Sequence, residues 1–208
     1  MPPFTVLHVC LGNICRSPMA EHLLRLVVGR RLANLDPGAD PGELLRSVSA
    51  GTGGWHEGEE MNPPASRQIA LRGGVVAGFT ARKLTGEHLA EAGLVLTATA
   101  EQSDYVVSLA PGVACRTFVL GQFARLLREL DLAELPPAGT DPRTFTARAT
   151  ALVAAADRRR AHEEPLPGDD LDDPWGRGDQ TFQRIAETID ESLYALVDAL
   201  LPGAPRPA

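Results

Sequence analysis

The chain has 208 residues, 44% hydrophobic and 23% charged, with a formal net charge of −7, a composition that excludes disorder and provides for one sizeable core. The acidic balance excludes general nucleic-acid binding, which needs clustered Lys and Arg, so any affinity for phosphate must be local. No apolar run reaches membrane-spanning length, the N-terminus has no signal-peptide pattern, and three cysteines (Cys10, Cys15 and Cys115) suit a reducing, cytoplasmic setting better than a disulfide scaffold.

Residues 4–10 form a short, mostly apolar run that reads as a buried parallel strand. Ser17 and Pro18 predict a helix start, with Ser17 as N-cap and burial of Met19, Leu23, Leu24, Leu26 and Val27, running to about Arg31. Residues 34–43, with Pro37, Gly38, Pro41 and Gly42, read as a loop, and residues 44–50 as a strand. A Gly- and Pro-rich stretch, 51–64, predicts an ordered surface loop. Short helices follow at 66–72, ending at Gly73-Gly74, and at 85–92, capped by Thr85. Residues 94–97 and 116–120 read as strands, each followed by a helix, at 101–109 and 122–130.

The chain then changes character. Residues 131–167 carry Pro136-Pro137, an Ala-rich stretch and a charged run, and read as an insertion holding one amphipathic helix. Residues 179–200 place Phe182, Ile185, Ile189, Leu193, Leu196, Val197 and Leu200 at helical spacing. The expectation is one domain over residues 1–201 and a flexible tail over 202–208. Strands alternating with helices imply a parallel sheet covered on both faces, with ligands at the carboxyl ends of the strands. For the first strand that end is Cys10.

The segment Cys10-Leu11-Gly12-Asn13-Ile14-Cys15-Arg16-Ser17 carries the chemistry. A cysteine and an arginine separated by five residues, between strand and helix, leave enough backbone to wrap a phosphate dianion with inward N–H groups. The helix adds its positive end and Arg16 its planar fork. The same groups favour a thiolate at Cys10. Ser17 offers a hydroxyl to the sulfur, Gly12 allows unusual backbone angles, and Asn13 suits a left-handed turn held by side-chain hydrogen bonds. No zinc spacing is present, and neither metal nor cofactor is expected.

The string from Val9 to Glu21 closely resembles the phosphate loop of the low-molecular-weight protein-tyrosine-phosphatase family. Residues 49–59 (Ser-Ala-Gly-Thr-Gly-Gly-Trp-His-Glu-Gly-Glu) resemble that family's loop after its second strand. Asp173-Pro174-Trp175-Gly176 resembles its Asp-Pro-aromatic loop. The resemblance covers roughly 4–130 and 168–200. It implies an α/β fold with a parallel four-stranded sheet flanked by helices, of the phosphotyrosine phosphatase I-like, flavodoxin-like class. It implies phosphotyrosine hydrolysis through a cysteinyl phosphate, with Cys10 as nucleophile, Arg16 on the phosphate and Asp173, rather than Asp172, as general acid. Leu11, Gly12, Asn13, Ile14, Cys15 and Ser17 would bind phosphate, Trp55 and Trp175 wall the pocket, and Ser49 support Asn13. His56 lies in the matching motif without a chemical assignment. Cys15 matches a cysteine that in several relatives forms a reversible disulfide with the nucleophile. The partner implied is a phosphotyrosine protein or small aryl phosphate, with no nucleic acid and no membrane. Isoleucine at position 14, where phosphoarginine-directed relatives carry threonine, leans toward phosphotyrosine. The stretch from Leu96 to Ala100 departs from a Met-Asp pair found in many members. The competing readings are a thiol-linked arsenate reductase, for which Cys115 alone is available after the third strand, and a non-catalytic phosphate-binding module.

Overall fold

The structure is a computed structural model that describes residues 1–161, 163 and 165–203. At its centre is β1 (Phe4–Cys10), buried along its whole length. A strand without a polar face must be covered on both sides, which demands a layered α/β arrangement. Four parallel strands, β1, β2 (Leu45–Gly51), β3 (Leu94–Thr97) and β4 (Thr117–Val119), lie in the order β2-β1-β3-β4. The parallel four-stranded sheet is the one the resemblance implies. The chain leaves β1 through α1 (Arg16–Leu35) to β2 on one flank, then passes to β3 on the other. That reversal opens a crevice at the carboxyl end of β1, where open sheets of this kind bind ligands.

Side chains alternate across β1. Phe4 and Val6 join the larger core, with α1, α3 (Pro63–Leu71), α6 (Leu120–Leu127), α7 (Pro142–Arg160) and α8 (Asp179–Leu200). Leu7 and Val9 face a smaller cluster, closed by Leu89 of α4 (Gly86–Glu91) and Val106 of α5 (Ala100–Leu109). The apolar stripe expected on α8 is buried at all seven positions.

Several local expectations are corrected. Ser17 is not an N-cap: α1 begins at Arg16, Cys15 holds the cap position without a side-chain bond, and the Ser17 hydroxyl turns to Cys10. Pro18 still falls in the first turn, where its missing N–H costs nothing. Leu26 is only half-buried, and the helix runs on to Leu35, beyond Arg31. The loop expected at 34–43 contains a single helical turn, α2 (Pro41–Leu44), capped by Asp40, whose side chain accepts the Gly42 N–H at 2.8 Å. Cys115 stands exposed in a 3-10 turn (Pro111–Arg116) that precedes β4. Residues 204–208 of the expected tail lie outside the described residues.

The one helix expected within 131–167 is α7. Asp141 caps it by accepting the N–H groups of Arg143 and Thr144 at 3.1 and 3.0 Å, and Phe145, Ala149, Leu152 and Ala156 are buried. The Arg160 guanidinium lies 4.1 Å from the Phe118 ring centroid, so the end of α7 is clasped to β4. The segment is thus part of the core. Phe145→Ala is expected to lower unfolding free energy in urea by about 3–5 kcal/mol; a change under about 1 kcal/mol would show that α7 only rests on the surface.

His8 lies in the interior of β1, with Nε2 3.1 Å from Ser47 Oγ. Burial, and secondly Arg25, push its pKa down to about 3. The unfolded chain takes up a proton near pH 6.5 whereas the folded chain stays neutral. The stability that depends on neutral His8 is complete above about pH 6.5 and is lost as pH falls toward about 3, by up to about 1.4 kcal/mol per pH unit. Equilibrium unfolding between about pH 7 and 4 should therefore show a steeper loss in the native chain than in His8→Gln. Parallel curves would contradict the assignment.

Candidate active site

Cys10 ends β1 buried, and the chain turns through residues 11–15 before α1 begins. The turn requires one left-handed residue, Asn13 at φ 54°, the one such non-glycine among the described residues. Asparagine tolerates that region because its short side chain can bond locally. Here Nδ2 donates to Ser17 Oγ at 2.9 Å and to Ser49 Oγ at 2.8 Å, and Oδ1 accepts the Arg82 N–H at 2.9 Å. Ser49 Oγ donates onward to Glu21 Oε2 at 2.6 Å, while Arg25 Nη2 donates to Glu21 Oε1 at 2.5 Å. A continuous hydrogen-bond chain thus runs from a buried carboxylate on α1 to the sulfur, since Ser17 Oγ lies 3.0 Å from Cys10 Sγ. The Ala50 carbonyl, at 3.4 Å, is the more distant competitor for the single Ser17 hydroxyl proton.

Gly12 is not at positive φ; its smallness serves a close approach instead, for a Cβ there would sit 2.9 Å from His56 Cδ2. Among the described residues, the N–H groups of residues 12–17 donate to no acceptor elsewhere in the protein. Together with the N-terminal end of α1 they line a concavity of unengaged donors, an arrangement that can hold an anion.

Arg16 is buried. Nη1 donates to the Leu171 carbonyl at 3.0 Å and Nη2 to Asp173 Oδ2 at 3.2 Å. Asp173 Oδ1 accepts the Trp175 N–H at 3.1 Å, leaving the carboxylate half-exposed at the mouth of the site. Its neighbour Asp172 pairs instead with Arg184 at 3.0 Å. The geometry therefore separates two adjacent carboxylates that spacing alone does not. Cys10, Cys15, Arg16 and Asp173 border one cavity of about 180 Å³.

The same cavity is walled by Trp55, Trp175 and His56, with Ile14 and Leu11 at its edge. Both tryptophans are more than half exposed, and the His56 ring lies 5.3 Å from that of Trp175, tilted 45°. Glu59 Oε2 is 2.7 Å from His56 Nδ1 and orients the ring. His56 and Glu21 are site residues to which sequence reasoning gave no role; both lie inside the quoted motifs, three residues from Gly53 and four from Ser17. Cys15, beside the nucleophile candidate, is a different thiol: burial first, then the charges of Cys10 and Asp173, push its pKa up to about 12, against the pull of Arg16. The shift favours the protonated thiol at neutral pH. Both thiols are free. Among the described residues no cluster of three or more His, Cys, Asp or Glu is arranged to hold a metal, and no helix is long and apolar enough to cross a membrane.

With the geometry in hand, comparison defines the class. Residues 5–159 match the sequence model of the low molecular weight phosphotyrosine protein phosphatases, and the chain belongs to that family. The match runs from β1 almost to the end of α7 and stops short of Asp173, whose place beside Arg16 is known from the structure. A low molecular weight protein-tyrosine-phosphatase of Streptomyces coelicolor is 46% identical over 70 residues, covering 34% of this chain and 38% of that protein. Low molecular weight protein-tyrosine phosphatase A of Mycobacterium tuberculosis is 28% identical over 196 residues, 94% of this chain and 91% of that protein. Among solved structures, the YwlE arginine phosphatase from Geobacillus stearothermophilus superposes with a TM-score of 0.60 at 25% identity, covering 94% of this chain and 92% of that one.

Ser49→Ala leaves Asn13 and Glu21 each one partner short in a buried setting. It is expected to lower unfolding free energy by about 1–3 kcal/mol, measured by urea denaturation at neutral pH. An unchanged midpoint would mean that the network does not hold the loop.

Proposed function

We propose that the chain hydrolyses phosphotyrosine and other aryl phosphate monoesters through a cysteinyl phosphate on Cys10. The observation that carries this reading is the meeting of Cys10, Arg16 and Asp173 around one cavity, beneath unengaged backbone N–H groups. Those N–H groups and the Arg16 guanidinium receive the non-bridging oxygens and hold the phosphorus above the sulfur. Cys10 attacks as the thiolate. The bond from phosphorus to the phenolic oxygen breaks, and that oxygen takes the proton of the Asp173 carboxyl. In the second step the Asp173 carboxylate draws a proton from a water that attacks the phosphorus. The P–S bond breaks, the electron pair returns to sulfur, and the Ser17 hydroxyl stabilises the charge. The products are the phenol and inorganic phosphate.

Trp55, Trp175 and His56 supply flat walls for an aryl ring. They support phosphotyrosine over the phosphoarginine suggested by the likeness to YwlE, as does Ile14. A free nucleophilic thiol supports a reducing, cytoplasmic setting. One core that joins α1, α6, α7 and α8 supports a single phosphatase domain over residues 1–201, with 131–167 as an insertion built into it.

Turnover of an aryl phosphate without added metal, from about pH 5 to 8, tests the mechanism. Cys10→Ser should lose at least about a thousandfold in kcat. Asp173→Ala should lose about 10²–10⁴-fold and with it the decline in rate as pH rises, because the first step needs a proton on that carboxyl. Asp172→Ala should stay within about threefold of the native chain. A folded, phosphate-binding chain that releases no phosphate would overturn the hydrolase reading, and an Asp172→Ala loss equal to that of Asp173→Ala would move the acid.

A further inference from the structure

A second cavity, of about 610 Å³, opens beside the phosphate pocket and shares Leu11, Arg16, Trp55 and Asp173 with it. Its other side is built by the first turns of α5 and by the segment leading to Asp173: Glu101, Gln102 and Tyr105 on the helix, Asp170 and Asp172 on the segment. Among the described residues Arg16 is the one cation lining it, and that guanidinium is already bonded to Leu171 and Asp173.

The carboxylates differ in what they face. Asp172 is paired with Arg184. Asp170 accepts the Ala100 N–H at 2.8 Å, a neutral partner, and makes no ion pair among the described residues. Glu101 is exposed and makes no ion pair among the described residues. An independent observation lies beside it. Gln102 is only 7% exposed, it lines the cavity, and among the described residues its Oε1 has no hydrogen-bond partner. A buried amide oxygen without a donor is costly, and the apolar core beneath α5 supplies none. Tyr105, 41% exposed, adds an aromatic surface to the same wall.

We propose that this second cavity is a subsite for a basic side chain of a phosphoprotein substrate, arginine in preference to lysine, within a few residues of the phosphorylated one. The inference rests on the phosphatase reading above and names the flanking chemistry of its substrate. An extended peptide advances about 3.3 Å per residue, so a neighbour of the phosphorylated residue reaches a cavity that shares walls with the phosphate pocket. A guanidinium offers five donors in a plane, enough to engage the Glu101 carboxylate and the Gln102 amide while its face rests on Tyr105.

The test separates binding from turnover. Phosphotyrosine peptides that carry arginine, glutamine or glutamate beside the phosphotyrosine are titrated into the Cys10→Ser chain by calorimetry, at about 0.05 M and about 0.5 M salt, and offered to the native chain as substrates. The arginine peptide should bind about three- to tenfold more tightly than the glutamine peptide, and the margin should shrink at high salt. Glu101→Lys, made in the Cys10→Ser background, should reverse the order of arginine and glutamate peptides. Tyr105→Ala, which leaves the start of α5 untouched, should reduce the margin. Equal affinities, a margin unmoved by Glu101→Lys, or no binding of any peptide would overturn the subsite. If the arginine preference persists while the native chain releases no phosphate, the subsite stands and the hydrolase reading falls. If phosphate is released equally from all peptides and binding shows no preference, the reverse holds.

Discussion

The site depends on one residue held in an unfavourable backbone region, Asn13. Its φ of 54° is sustained because both side-chain N–H donors and the side-chain oxygen are engaged, to Ser17, Ser49 and the Arg82 backbone. An L-residue lacking those bonds would relax toward the right-handed region and unwind the turn. The turn in turn aims the N–H groups of residues 12–17, positions the Ser17 hydroxyl on the sulfur, and sets where α1 begins. The Asn13 network reaches through Ser49 to Glu21, so α1, β1, β2 and the loop around Arg82 are tied at one point.

Electrostatics follow from that geometry. A chain of net charge −7 does not attract phosphate by its overall field, so the proposed function draws its attraction from one concavity lined by backbone donors, a helix terminus and a buried guanidinium. The tether between Arg16 and Asp173 brings a carboxyl to the mouth of that concavity while leaving it half-exposed, free to meet a leaving group. Environment also divides the labour of two thiols in one loop. Burial pushes the Cys15 thiol up to about 12 and so disfavours its thiolate, while Cys10 has the Ser17 hydroxyl beside its sulfur.

Much of this is legible in the sequence. The bounds of β1 and α8 follow from an apolar run and a long helical stripe, features set by burial alone. The Cys10-to-Ser17 string declares its chemistry because a phosphate loop needs those residue types in that order. What escaped was what tertiary partners decide. Ser17 has the local signature of an N-cap, yet the sulfur of Cys10 claims its hydroxyl. Gly12 looks like a residue chosen for its angles, yet it makes room for His56. The link from Glu21 to Ser49 spans 28 positions of sequence, beyond the reach of local pattern. Asp172 and Asp173 are told apart in the sequence only by the proline that follows Asp173, and in the structure by which arginine each one meets.

The central claim is that the phosphoryl group passes through the sulfur of Cys10. The most direct measurement is acid quenching of the Asp173→Ala chain during turnover of an aryl phosphate with a good leaving group, followed by peptide mass spectrometry. Slowed hydrolysis of the intermediate should allow one phosphoryl group to accumulate on the peptide bearing Cys10 and Cys15, with fragmentation placing it on Cys10. A phosphoryl group on Cys15 or on any other residue, or turnover with no trapped phosphocysteine and full activity in Cys10→Ser, would contradict the account.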